Sequence, residues 1–324
     1  MGESFLLALT LLDSTIRVAT PLVLAAFAGM LAERSGVIDI GLEGKMLAGA
    51  FAAAAAAAAS GSAWIGLGAA MVASIALAIL HAYACVTHNG NQVVSGMAIN
   101  ILVAGLGPTL AISWFGLAGQ TPALAGPTRF AGMALPMSEV LAPLPVLGPI
   151  YAEVVSGHNL LVYLTIALVP VIAVLLYRTR FGLRLRAVGE NPHAVDTAGI
   201  SVAAMRYRAM ILCGLLCGIA GAYLSTAHAA GFVRDMTAGK GYLALAAMIF
   251  GKWRPVPTML ACLLFAFADA LQIRLQGVVI PNVGEVPVQA IQALPYALTV
   301  VLLAGFVGRA IAPKSSGIPY VKDK

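Results

Sequence analysis

Nine apolar runs divide this chain, at about 5–31, 42–59, 64–86, 94–117, 159–177, 209–229, 241–251, 256–275 and 290–311. A helix of about 20 apolar residues crosses a hydrocarbon core of ~30 Å, and most of the runs reach that length. The chain cannot hide them in water, because its 324 residues include only 19 Lys+Arg and 13 Asp+Glu. Charged residues make up 10% of it, against about 25% in a soluble domain. A cytosolic enzyme, a secreted domain and a disordered chain are therefore excluded. The fold class is all-α, a polytopic transmembrane helical bundle of about 8–10 spans. Residues 1–324 form a single transmembrane domain, with no room for a sizeable soluble one.

Arginine sets the orientation. The segment 178–208 holds Arg178, Arg180, Arg184, Arg186, Arg206 and Arg208 against Glu190 and Asp196, so it is assigned to the cytoplasm. The segment 118–158 has Arg129 as its one Lys or Arg and carries six prolines, and is assigned to the outside. Alternation then places 32–41, 87–93, 252–255 and 312–324 inside, where Lys252, Arg254, Lys314, Lys322 and Lys324 agree. It places 276–289 and 230–240 outside, where Arg234 and Lys240 disagree mildly. If every run crosses, there are nine spans and the N-terminus is outside. The Asp13–Arg17 interruption offers a place to split the first run. Met1 to Thr10 carries Glu3 and no basic residue, unlike a cleaved signal peptide. The net charge of +6 belongs to these loops, and no aromatic-interleaved basic stripe points to nucleic acid.

Three segments have the composition to carry function. In Glu190–Ile200, Asn191 suits an N-cap, Pro192 the first helical position and Gly199 the residue that ends a helix. A two-turn helix from Pro192 to Ala198 follows, with Ala194 and Ala198 on one side. It is either an ordinary surface helix or a knob for a soluble partner. In Glu33–Lys45, charges of mixed sign and Gly36, Gly41 and Gly44 lie between two apolar helices. Asp39 and Glu43 suit the N-terminus of the next helix; a plain loop with a cap is the alternative. Asp235–Tyr242, with Gly239, Lys240 and Gly241, opens the short 241–251 run in a similar way. One segment lies inside and the other outside, the pattern of an inverted repeat with broken or re-entrant helices.

Polar groups within apolar runs usually face the bundle interior or an aqueous path. Here they are Asn100, Asp269, Gln272, Gln289 and Gln292, the last four in two i,i+3 pairs. They could line a path for a neutral polyhydroxylated or heterocyclic cargo, or simply bond helix to helix. Trp114, Phe115, Phe265 and Phe267 could stack on a ring, or face lipid and core. Gly214, Gly218 and Ala222 make a small-residue packing face, and the alanines 52–59 suit close packing too. Cys85, Cys213, Cys217 and Cys262 read as small buried hydrophobes. His81, His88 and His228 match no metal or catalytic pattern. No metal or cofactor is expected.

The strings ERSGVIDIGLEGKMLAGAF (Glu33–Phe51), GENPHAVDTAGIS (Gly189–Ser201), MTAGKGYLALAAMIFGKWRP (Met236–Pro255) and FADALQIRLQ (Phe267–Gln276) resemble a known family. It is the branched-chain amino acid/ribose-type permease family of bacterial ATP-binding cassette importers, and the likeness is to its nucleoside branch. The shorter of two paired permeases is the nearer match. The resemblance implies a translocation subunit in the cytoplasmic (inner) membrane, surrounded by membrane lipid, with ATP hydrolysis in a separate ATPase subunit. It makes Glu190, Asn191, Pro192, Ala194, Ala198 and Gly199 a coupling helix. It implies a second, paralogous permease and an extracytoplasmic substrate-binding lipoprotein, which would hold most of the specificity. Asp39 in Gly36-Val37-Ile38-Asp39-Ile40 resembles the ribose branch, so ribose or another simple sugar is the alternative cargo.

Two other classes fit less well. An ion-coupled secondary transporter needs acidic groups at a midplane site, and Asp269 is the one strong candidate. An intramembrane enzyme needs a nucleophile–base or metal constellation, and HExxH, GxSxG and paired intramembrane aspartates are all missing. GxxxxGK[ST] is missing too, so the chain is not expected to hydrolyse ATP.

Overall fold

The computed structural model describes residues 3–136, 144, 146–275, 279–280, 284–285, 293, 297, 300–301 and 310–322. Helices dominate them. We label α1 Glu3–Arg34, α2 Leu42–Ser60, α3 Ala63–Ala82, α4 Gln92–Phe115 and α5 Leu160–Arg178. There follow α6 Arg180–Glu190, α7 Pro192–Thr197, α8 Val202–Tyr223, α9 Lys240–Phe250 and α10 Pro255–Leu275. Wider π-type turns extend α3 to Thr87 and α8 to His228. The described strands are a two-residue pairing, Val279–Ile280 against Gly284–Glu285.

Seven of these helices are long and apolar enough to cross a membrane, so the protein is a multi-pass membrane protein. The nine-span expectation is changed at its seventh run, which forms the 11-residue α9. At 1.5 Å per residue that is roughly 16 Å, about half a hydrocarbon core. The run 290–311 falls almost wholly outside the described residues.

Splitting of the first run is overturned: α1 is one helix of 32 residues. Asp13 and Arg17 lie one turn apart and pair at 2.9 Å, so the charges neutralise each other without breaking the helix. Pro21 is also accommodated inside it. At roughly 48 Å, α1 overshoots the membrane core, and the Asp13 end is free to stand beyond it.

The centre of the bundle is α1 against α8. Every residue from Val18 to Glu33 is buried, and so is every residue from Leu216 to Thr226, as expected of helices that are apolar all round. The two run antiparallel. The Tyr223 hydroxyl donates to the Arg17 carbonyl at 2.8 Å, while Arg206 Nε donates to the Ser35 carbonyl at 3.2 Å. Gly214 and Gly218 let α8 lie directly on α3, and Gly218 and Gly221 do the same against α2. A Cβ on Gly218 would come 2.7 Å from the Ala70 carbonyl and the Met71 backbone. The expected packing face is thus real, with Gly221 added to it.

The contacts repeat with inverted direction. Helix α1 packs on α8, α9 and α10, while α8 packs on α1, α2 and α3. Helix α2 packs on α3 as α9 packs on α10, and α2 meets α9. Exchanging α1–α3 with α8–α10 reproduces this pattern of pairings. Helices α4 and α5 flank the core and present Ile101, Leu106, Ile112, Ile166, Val171 and Val174 outward, a surface suited to lipid.

Candidate functional site

Two helix N-termini meet inside the bundle. Helix α1 ends at Arg34, and residues 35–41 run on without helix before α2 begins at Leu42. Along this linker the Ile38 N–H donates to Gln92 Oε1 at 2.6 Å, at the start of α4. The Ile40 carbonyl accepts from Asn100 Nδ2 at 3.0 Å. The linker therefore climbs about two turns of α4, roughly 12 Å, before α2 starts.

Helix α9 arrives from the opposite side. Residues 230–232 bond to the loop that follows α4, Thr121 N–H to the Phe232 carbonyl at 3.1 Å and Leu124 N–H to the Ala230 carbonyl at 2.9 Å. The chain then turns inward through Asp235, Ala238 and Gly239, all with positive φ. Beyond α9, Trp253 lies at the inner end of α1: its Nε1 donates to Glu33 at 2.7 Å, and Arg34 donates to its carbonyl at 2.8 Å. So α9 runs from the first turn of α2 to the inner end of α1. The short run is a broken helix, entered from the end of the bundle opposite to the one from which α2 is entered.

Glu43 joins the two. Its carboxylate accepts from Gly239 N–H at 2.8 Å and Gly241 N–H at 2.5 Å, capping α9 from the first turn of α2. Helix N-termini carry about half a positive charge, so a carboxylate belongs there. A Cβ on Gly241 would lie 2.6 Å from the Glu43 backbone nitrogen, which is why this residue carries no side chain. Asn100 closes the arrangement. It accepts from Gly44 N–H at 2.8 Å and donates to the Ile40 carbonyl and to the Tyr242 hydroxyl at 2.8 Å.

Behind this meeting point lies a buried ion pair between Asp39 and Lys45, both fully inaccessible. Asp39 also accepts from Gly41 N–H at 3.0 Å and from Cys213 Sγ at 3.2 Å. His81 bonds the Ile38 carbonyl at 3.0 Å and Ser95 Oγ at 2.9 Å, with Asp39 Oδ1 4.0 Å away. The sequence reading put Asp39 and Glu43 at a helix start, which is where they sit, but did not foresee Lys45 or His81. A lysine inside the apolar run 42–59 was the available signal, since a buried cation needs a partner. All four cysteines are buried and free, but Cys213 is a hydrogen-bond donor as well as a packing residue.

Of the candidate path residues, Asn100 belongs to this cluster and is nearly buried. Asp269 and Gln272 are half-buried on α10, which packs on α1, α5 and α9, while Asn100 sits on α4 against α2. Gln289 and Gln292 lie outside the described residues. Within the cluster Tyr242 alone is well exposed, at 42%. Its hydroxyl accepts from Asn100 and keeps its own proton to donate.

On the arginine-rich side, the Asn191 side chain accepts from Ala194 N–H at 3.1 Å and starts α7. Gly199 follows in the left-handed region, φ 77°. The six-residue helix is one residue shorter than the expected Pro192–Ala198. Val195 is buried, while Glu190, Ala194 and Ala198 face out. Gly36 likewise takes a left-handed φ of 86°, just after α1.

Residues 11–309 match a family model described as "Branched-chain amino acid transport system / permease component". The chain is similar to the guanosine ABC transporter permease protein NupQ of Bacillus subtilis (strain 168), 38% identical over 97% of each chain. It is 36% identical to the nucleoside ABC transporter permease protein NupC of Lactococcus lactis subsp. cremoris, over 94% of this chain and 95% of that one. It is also 36% identical to "Putative glucose ABC transporter permease protein TsgC13" of Haloferax volcanii, over 82% of this chain and 78% of that one.

Proposed function

The chain belongs to the permease-component family of branched-chain amino acid transport systems, and from that premise we propose that it is the permease subunit of a nucleoside importer. It forms the translocation path in a bacterial cytoplasmic membrane and is driven by a separate ATP-binding cassette subunit. The observation that carries the cargo is the near full-length similarity to two permeases named for guanosine and nucleosides. The likeness to a permease named for glucose, together with Asp39, keeps a simple sugar as the second reading.

Three partners belong to this reading: the ATPase subunit, a paralogous permease completing the pore, and an extracytoplasmic binding lipoprotein. Helix α7 is the coupling helix. Its Asn191 cap and Val195 anchor hold it on the arginine-rich side, and the exposed Ala194 and Ala198 offer a low, side-chain-poor face to a groove. The paired broken helices α2 and α9 supply the site at which the path opens and closes. Two N-termini point to one place, and their positive ends are balanced by Glu43. Tyr242 and Asn100 line the approach to it, and Asp269, Gln272, Gln289 and Gln292 remain candidates along the path.

Reconstitution with the three partners in proteoliposomes tests this. ATP-dependent uptake of labelled guanosine, uridine or adenosine is expected, with ribose and glucose not competing. Uptake of sugar alone moves the cargo to the second reading; uptake without ATP, driven by an ion gradient, overturns the importer. Replacing Ala194 and Ala198 together by Asp should abolish uptake while the chain still inserts. Wild-type uptake by that double variant removes α7 from the coupling role.

A further inference from the structure

Residues 313–322 follow the spans in chain order, yet they are stitched into the cytoplasmic side of the bundle at four places. Pro313 and Ser315 are buried. The Ser315 N–H donates to the Gly189 carbonyl at 2.8 Å, and its hydroxyl reaches the Val188 and Gly189 carbonyls at 3.0 and 2.8 Å. That fixes the segment to the end of α6, immediately before α7. Gly317 N–H donates to the Gly36 carbonyl at 3.2 Å. The Ile318 carbonyl accepts from Arg206 Nη2 at 3.3 Å, while the same guanidinium holds the Ser35 carbonyl. The segment is thus bonded to the first residues of the linker that leads to α2. Finally, Tyr320 packs edge-on against His193 of α7, ring centroids 5.1 Å apart, and Lys322 reaches Asp196 of α7 at 3.6 Å.

Helix α7 is short. It has six residues and one buried side chain, Val195. A helix that short does not persist by itself. The linker 35–41 in turn is not helical between the end of α1 and the start of α2. One strip of chain touches both, and its buried end is fixed by backbone bonds, whose partners inside a protein are costly to lose.

We propose that residues 313–322 are a strap that sets the posture of α7 and passes its displacement to the linker of the broken helix α2. This rests on the reading of α7 as the helix that meets the ATPase. A push on α7 moves Tyr320 and Lys322, and through Ile318 and Gly317 it pulls on Ser35 and Gly36. From Gly36, Asp39 is three residues along the chain and the first residue of α2, Leu42, is six. The Lys322 pair is largely exposed and contributes little energy by itself. The strap acts through its geometry, as a mechanical link between two sites.

The test uses the complete reconstituted complex and two truncations. Removing residues 313–324 takes away the whole strap. Removing 320–324 leaves Ser315, Gly317 and Ile318 bonded and cuts the contact with α7. Complex yield, ATP hydrolysis and uptake are measured on each. A merely structural role lowers yield and both activities together. The strap predicts normal yield, continued hydrolysis, and uptake per ATP reduced about tenfold for the longer deletion and roughly fivefold for the shorter. If the longer deletion fails to accumulate, the shorter one decides. Unchanged uptake per ATP in the shorter deletion, against a coupled wild type, overturns the strap. A wild-type complex that carries no ATP-binding subunit overturns the functional reading, and the strap with it.

Discussion

The broken helices α2 and α9 occupy equivalent places in the two halves, but they are held in different ways. Helix α2 is anchored by charge. Its linker contributes Asp39, its first turn contributes Lys45, and the pair is sealed by His81, Cys213 and the Gly41 N–H. Helix α9 has no such anchor among the described residues. It begins at a glycine in the left-handed region, is preceded by Ala238 in the same region at φ 46°, and is held at its start by one carboxylate from its counterpart and the Asn100 bond to Tyr242. The repeat supplies the architecture twice, and local chemistry makes one copy fixed and the other lightly held.

The sharpest way to break that contrast is to remove the anchor. Lys45→Met leaves the Asp39 carboxylate buried without its cation and should destabilise the fold by ~3–5 kcal/mol. Thermal unfolding in detergent measures it. The double variant Asp39→Asn, Lys45→Met should recover most of the loss, because no charge is left unpaired.

The second copy should respond less. Glu43→Ala strips the acceptor from two N–H groups at the start of α9 and should cost about 1–3 kcal/mol. Amide exchange should quicken at residues 239–245 and stay slow around Gly44. Glu43→Gln keeps one acceptor oxygen but loses the charge and sets an amide NH2 against the second backbone N–H, so its cost should approach that of Glu43→Ala. Equal exchange rates at both N-termini in Glu43→Ala contradict the asymmetry.

The smallest effect runs in the other direction. Ala238→Gly removes a side chain from a left-handed residue and should stabilise α9 by about 1 kcal/mol. If the light hold on α9 serves transport, the same variant slows uptake while raising the melting temperature.

What the sequence reveals here is what is local to one turn or one run. The apolar runs, the caps on either side of α7 and the glycines of α8 all act within a few residues, so they can be read directly. The short 241–251 run also announced itself by its length. The pairing of Glu43 with Gly239 and Gly241 could not be read, because nothing in either segment identifies the other. Lys45 was legible as a problem, a cation in an apolar run, but not as a solution. The strap was invisible for another reason: residues 313–322 look like any polar tail, and their bonds run through backbone groups that every residue possesses. Asp13 and Arg17 misled in the opposite way, looking like a break when their four-residue spacing lets them cancel within one helix.

A core whose helix pairings repeat when α1–α3 are exchanged with α8–α10 has a consequence for how the molecule is threaded into the membrane. Under that exchange α1 takes the place of α8 and α2 that of α9, so the same pairings serve either pose. What the exchange does not duplicate inside the bundle is the Asp39–Lys45 pair and Arg206, buried near the start of α8. The choice is left to what the repeat does not duplicate, above all the six arginines between 178 and 208. Handedness with respect to the two aqueous compartments is written on the loops, in a code separate from the one that folds the bundle.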